Sequence, residues 1–247
     1  MAIFDFNSFC YMKNLIIAST STIYDGTYLD YLLPEISDLF RESKEIVFVP
    51  YAKPSGISYD EYTLIARKAF TEIGINIKGI HEYNNAKEAI KNAKGLFVGG
   101  GNTFVLVNEM YKQDLFNILR DRLEKGMPYL GTSAGSNICG PSMQTTNDMP
   151  IVYPPSYKTL GIIPFNINAH YLDTNPNSKH KGETRETRIK EFHHFNSLPV
   201  LGLREGSWLQ VNNNKIQLKG TLKARFFQKN ELAIELDSLT YLQAIVN

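Results

Sequence analysis

Short runs of consecutive apolar residues alternate along the chain with helical stretches. Leu15-Ile16-Ile17-Ala18, Ile46-Val47-Phe48-Val49, Ile75–Ile80, Leu96-Phe97-Val98 and Met127–Leu130 read as five strands. Between them, Tyr28–Phe40, Tyr59–Ile73, Ala86–Ala93 and Thr103–Lys125 read as helices. Strands that are apolar at successive positions suit a parallel sheet covered on both faces. Alternation with helices predicts an α/β three-layer sandwich with a mostly parallel central sheet and right-handed crossovers.

The final third has a different texture. Val200–Leu203 reads as a further core strand, and Trp208–Leu218 as a hairpin turning at Asn212-Asn213-Asn214. Phe226-Phe227 and Leu232–Ile234 suggest short closing strands. No repeat, low-complexity linker or composition break divides the chain. The expectation is one domain over residues 12–247, preceded by an extension at 1–11 that is too short to span a membrane and lacks the pattern of a signal peptide.

Composition narrows the function classes. The 247 residues are 43% hydrophobic, enough for a full core. Lys plus Arg number 26 against 25 Asp plus Glu, a net charge of +1 that gives no general attraction to nucleic acid or anionic membrane. Cys10 and Cys139 are far apart and show neither metal-ligand spacing nor a disulfide framework. A cytoplasmic protein is expected, with Cys139 a small buried hydrophobe in a helix.

The candidate chemistry begins at Gly131-Thr132-Ser133-Ala134-Gly135, directly after the fifth strand. A serine between two glycines at a strand-to-helix turn is the sequence form of a nucleophile elbow. Such a turn would leave the Ser133 hydroxyl at the carboxyl end of the strand, beside free helix N–H groups. A second cluster, Gly99-Gly100-Gly101-Asn102, follows the fourth strand and should open onto the same sheet edge. Its N–H groups suit an oxyanion hole together with Ala134, although a phosphate-binding turn or a plain tight loop would use the same glycines.

A serine nucleophile needs a base, and the base needs an orienting acid. His170 stands at an expected strand end after Ile162–Phe165, whereas His81, His193 and His194 fit structural positions and His180 a solvated one. Two acids compete for the third role. Asp148 lies in a polar turn ahead of Pro150, where an Asx-turn or local cap would also explain it. Glu205 follows Val200–Leu203, where an exposed charge paired with Arg204 would also explain it. Spacing cannot choose, because triad members meet only in space.

Gly99–Phe104, Ser133-Ala134-Gly135, Thr145–Val152, His170, His180–Ile189 and Glu205–Trp208 together resemble the peptidase E, or alpha-aspartyl dipeptidase, family of serine peptidases. The matches run in order over nearly everything after Met12. The resemblance implies a class I glutamine-amidotransferase-like (flavodoxin-like) sandwich and removal of N-terminal aspartate from Asp-X dipeptides. It implies Ser133 as nucleophile, His170 as general base, Gly101 and Ala134 as oxyanion donors, and Gly100 and Arg185 as substrate contacts. The family's third catalytic member falls on Asp148 or Glu205, and the position of Glu205 just past a core strand favours it. Asp148 would then shape the loop or pocket.

An arginine suits a short substrate carboxylate because its planar fork binds bidentately. Arg185, Ile189 and Phe192 share a helical face by spacing, so Arg185 is either a ligand anchor or an internal ion-pair partner, with Glu183 a candidate. Arg188 is expected to be structural or solvent-facing. No cofactor or metal is expected, and the partner is a small peptide bound by a monomer or homodimer. Two rivals stand beside this reading. One is a related hydrolase of beta-aspartyl peptides resembling cyanophycinase, and the other is a non-catalytic binder of aspartate or dipeptides.

Overall fold

The computed structural model describes residues 12–174 and 182–242. The expected extension at 1–11, Cys10 and His180 lie outside the described residues. Eleven strands are found among those described, in two sheets. The larger has the order β3-β2-β4-β5-β1-β8-β9. It comprises β1 (Asn14–Ala18), β2 (Glu45–Val49), β3 (Asn76–Gly79), β4 (Leu96–Val98), β5 (Tyr129–Thr132), β8 (Ser207–Asn212) and β9 (Lys215–Gly220). The first five run parallel, and the hairpin β8–β9 joins β1 antiparallel.

The apolar runs are explained by burial on both faces. Leu15 and Ile17 of β1 enter one core, with Val47 and Val49 of β2 and Leu96 and Val98 of β4. Ile16 and Ala18 enter the other, with Ile46, Phe48, Phe97 and Leu130. Helices α3 (Ala86–Asn92), α4 (Thr103–Lys112), α5 (Phe116–Glu124) and α6 (Ala134–Asn137) cover the first face, and α1 (Leu33–Leu39) and α2 (Tyr59–Thr71) the second. Adjacent residues therefore point into opposite cores, and neither can be polar without cost.

The four-stranded second sheet has the order β11-β10-β7-β6. Its strands are β6 (Asn166–Ala169), β7 (Val200–Leu203), β10 (Ala224–Phe227) and β11 (Ile234–Leu236), with α7 (Arg185–Phe195) against one side. On the other side, Ile167, Leu201 and Leu203 join the first core of the large sheet. The C-terminal β elements thus form a distinct sheet fused to the main one by packing.

Several expected boundaries move. The helix expected over Thr103–Lys125 is two helices, parted at Asp114, whose φ is 51°. The helix expected from Tyr28 is a 3-10 turn at Asp30–Leu32 leading into α1. Ile162–Phe165 is not a strand, and pairing begins at Asn166. The last strand falls at Ile234–Leu236 because Leu232 is exposed. Cys139 is buried but lies beyond α6, which is one turn long.

Candidate active site

Ser133 sits between β5 and α6 with φ 50° and ψ −108°. A non-glycine residue there is strained by about 1–3 kcal/mol, which the surroundings must hold. The flanking glycines are required by close approach. A Cβ on Gly131 would meet the Gly135 carbonyl at 2.7 Å, and one on Gly135 would meet the Val98 carbonyl at 2.2 Å. Ser133 N–H donates to Ala18 O at 3.1 Å, and the Ser136 hydroxyl donates to Ala18 O and Gly131 O. The elbow is thus clamped from below, with its hydroxyl free to turn outward.

His170 ends β6, also at positive φ, 55°. Its Nε2 lies 2.8 Å from Ser133 Oγ, and its Nδ1 lies 2.6 Å from Glu205 Oε1. An ionised carboxylate only accepts, so Nδ1 carries the proton and Nε2 is left to accept from the serine hydroxyl. Glu205 stands in the turn after β7, next to Gly206 at φ 82°. Arg204 does not pair with it. Its guanidinium instead grips Asp173 and Glu235 and donates to Lys223 O, leaving the Glu205 carboxylate to the histidine.

Ser19, just past β1, was not a sequence candidate. Its hydroxyl accepts from His170 N–H at 2.9 Å and donates to Leu203 O at 2.7 Å. One buried side chain so links the end of the large sheet to the two strand ends that carry His170 and Glu205. Its position at the carboxyl end of the first strand is the sequence signal that could have found it.

Asp148 is close by but faces elsewhere. Its Oδ2 accepts from Thr103 N–H at 2.7 Å and from the Thr146 hydroxyl at 2.8 Å. A carboxylate there complements the positive end of α4, whose N-cap is Asn102. The Thr145–Asn147 segment explains how the loop is held. Thr145 donates to Ile167 O, and Asn147 donates to Ala169 O and Asn168 Oδ1. Of the two candidate acids, Glu205 reaches His170 and Asp148 caps a helix over a longer range than a local turn.

A cavity of about 420 Å³ opens between these elements, lined by Thr20, Ser21, Tyr28, Ile57, Tyr62, Ile65, Gly100, Gly101, Ser133, Asp148 and His170. Gly101 has φ 132°, open to glycine and strained for other residues. In the glycine loop, Gly99 N–H donates to Val49 O and Asn102 N–H to Ala52 O. Among the described residues the N–H groups of Gly100 and Gly101 have no acceptor, nor does that of Ala134 at the start of α6.

Arg185 opens α7, half-buried and one turn before the inward Ile189. Among the described residues it has no hydrogen-bonded or ion-paired partner. Glu183 pairs with Arg188 at 3.6 Å, not with Arg185. Burial lowers the Arg185 pKa, the like charge of Arg188 adds to this, and the Asp148 carboxylate opposes it. A guanidinium near enough to Asp148 to feel its charge, and without an ion pair among the described residues, can receive an anion. Of the other described histidines, His81 contacts Asp60 at 2.9 Å and His193 contacts Leu198 O at 3.0 Å, whereas His194 is exposed on α7. Among the described residues no group of three or more His, Cys, Asp or Glu side chains is placed to hold a metal, and no helix is long and apolar enough to cross a membrane.

A strained elbow serine, a histidine and a carboxylate in hydrogen-bonded series on an α/β sandwich define a site of the serine-hydrolase class. The family model for peptidase family S51 matches residues 15–219, and the chain belongs to that family. It is 44% identical over 223 residues to a protein named peptidase E from Streptomyces coelicolor, with 90% of each chain covered. It is 43% identical over 237 residues to a Drosophila melanogaster protein named "Probable alpha-aspartyl dipeptidase", covering 93% of this chain and 97% of that one. Among solved structures, a peptidase from an acI-B1 Actinobacterium superposes with a TM-score of 0.69 at 15% identity, over 93% of this chain and 96% of that one, a likeness of fold.

Proposed function

We propose that the protein is a serine dipeptidase that hydrolyses dipeptides with an N-terminal aspartate. The hydrogen-bonded series Ser133–His170–Glu205 carries the reading. His170 takes the Ser133 proton as Oγ attacks the aspartyl carbonyl carbon, and Glu205 stabilises the imidazolium that forms. The N–H groups of Gly101 and Ala134 receive the oxyanion. Collapse of the tetrahedral intermediate breaks the peptide bond, and His170 gives its proton to the departing amine. Water, deprotonated by His170, then releases aspartate from Ser133.

Arg185 supplies the charge that recognises the aspartyl side chain, and Gly100 lies against the substrate at the cavity wall. The names of the relatives support an aspartyl dipeptide over the two rivals. A cavity of about 420 Å³ is also of small-molecule size. Hydrolysis of Asp-Leu, Asn-Leu and beta-Asp-Leu by the wild type and Ser133→Ala tests the reading. Cleavage of Asp-Leu alone, lost in the variant, is expected. Preference for the beta-linked peptide would move the protein to the cyanophycinase-like activity, and no cleavage by folded protein would leave the binder.

A further inference from the structure

Tyr62 lies on α2, outside every motif that the sequence singled out. Its side chain is buried, with its ring edge-on to Phe48 at 5.0 Å between centroids. Its hydroxyl donates to Gly100 O at 3.0 Å and accepts from the Tyr28 hydroxyl at 3.4 Å. The Gly100–Gly101 peptide is trans, so its N–H points opposite to the carbonyl that Tyr62 holds. That N–H belongs to Gly101, one of the two proposed oxyanion donors.

The loop is wedged between Tyr62 and the nucleophile. A Cβ on Gly99 would lie 2.5 Å from the Tyr62 hydroxyl, and a Cβ on Gly100 would lie 3.0 Å from Ser133 Cβ. Glycine on both sides of a peptide leaves it free to rotate, since neither residue restricts φ. Something must therefore hold the Gly100–Gly101 plane, and the one side-chain bond to it among the described residues comes from Tyr62.

We propose that Tyr62 is a positioning residue for acyl transfer: by anchoring the Gly100 carbonyl it aims the Gly101 N–H at the place where the oxyanion forms. This rests on the serine-dipeptidase reading. Burial pushes the Tyr62 hydroxyl up to about 12, so it remains a protonated donor throughout the neutral range.

Tyr62→Phe keeps the ring and its packing and removes the bond. Loss of an oxyanion donor costs about 10²–10³-fold in kcat, and misaiming one should cost about 10–100-fold with KM within about twofold. Binding of the aldehyde analogue of aspartate, to which Ser133 Oγ adds while its proton passes to His170, should weaken by the same factor. Binding of intact Asp-Leu should be equal in Ser133→Ala with and without Tyr62→Phe. Unchanged kcat, or equal loss of ground-state and aldehyde binding, would overturn the role. If Tyr62→Phe does not fold, a crystal structure of wild type with the aldehyde decides. The adduct oxygen within about 3.1 Å of Gly101 N, with Gly100 O still on Tyr62, supports the role. An adduct oxygen bound elsewhere overturns it. Wild type inactive on Asp-Leu would sink the dipeptidase reading, whereas an active wild type matched by Tyr62→Phe would sink this inference alone.

Discussion

Ser133 and the glycine loop stand on the seven-stranded sheet, whereas His170 and Glu205 stand on the four-stranded one. The half that carries Ser133, the proposed nucleophile, is built on close backbone approach: glycines at 131 and 135 leave no room for a side chain, and Ala18 O holds the turn from below. The half that carries His170 and Glu205, the proposed base and its orienting acid, is more open, with the His170 side chain 37% and the Glu205 side chain 46% exposed. Its alignment comes from discrete bonds, namely the Ser19 bridge and the Arg204 grip on Asp173 and Glu235. Packing sets the position of the Ser133 oxygen, while replaceable side-chain bonds set that of the His170 ring. Substitutions at Gly131, Ser133 and Gly135 should act as all or none, and those in the second half should act by degrees.

The largest effect tests the first half. Ser133→Ala should lower kcat/KM for Asp-Leu by about 10⁴–10⁶-fold with folding intact. Ser133→Gly should be as inactive yet melt above Ser133→Ala, because glycine adopts φ 50° without strain. Calorimetry of the two variants checks this, and a lower melting point for the glycine variant would mean that the elbow stores no strain. Next comes Glu205→Gln, which keeps an acceptor for Nδ1 but removes the charge that balances the imidazolium. It should cost about 10²–10⁴-fold in kcat. Asp148→Asn should stay within about tenfold in kcat and act mainly on KM, through Arg185 and the end of α4. Reversed magnitudes in steady-state kinetics would give the third role to Asp148 and break the assignment.

The same contrast explains what could be read from the chain. The strands of the large sheet were legible because both faces are buried, leaving apolar runs such as Ile46–Val49. In the second sheet β7 and β10 were legible as apolar runs and β6 was not, because β6 is Asn-Ile-Asn-Ala, with both asparagines buried. Asn166 Oδ1 accepts from Ser142 N–H, and Asn168 Nδ2 donates to Thr145 O. Ser133, its glycines and the Gly99–Gly101 loop announce themselves by local geometry. The choice between Asp148 and Glu205 rests on a 2.6 Å contact between residues 35 apart in sequence, which no local pattern encodes. Ser19 and Tyr62 were missed because each acts through long-range bonds, Ser19 to His170 N–H and Leu203 O and Tyr62 to Gly100 O.

A milder lesion probes the bridge between the halves. Ser19→Ala leaves His170 N–H without its acceptor, whereas Leu203 O keeps Tyr171 N–H as a donor. A kcat loss of about tenfold is expected, with KM unchanged and about 1–3 kcal/mol of stability lost. Stopped-flow detection of the acyl-enzyme should place the loss in both chemical steps, since the proposed mechanism uses His170 in both. A defect confined to deacylation would mean that the bridge serves water placement.

The smallest effect concerns the floor of the elbow. Cys139 is buried with its thiol 3.5 Å from Gly135 O, and burial pushes its pKa up to about 12, opposed by the Tyr129 hydrogen bond. In the unfolded chain a thiol ionises near about 8.5. The folded state therefore keeps a proton that the unfolded state releases, so stability is level below about pH 8.5 and falls as pH rises toward about 12. Cys139→Ala removes this dependence while leaving a small cavity. Buried tyrosines, whose unfolded pKa is about 10, begin to contribute later, so the interval between about pH 8.5 and 10 isolates the thiol. Urea unfolding across that interval should show wild type losing stability faster than Cys139→Ala, with kcat little changed. Parallel curves would mean that water reaches the thiol, and that the half that carries Ser133 is as open underneath as the half that carries His170.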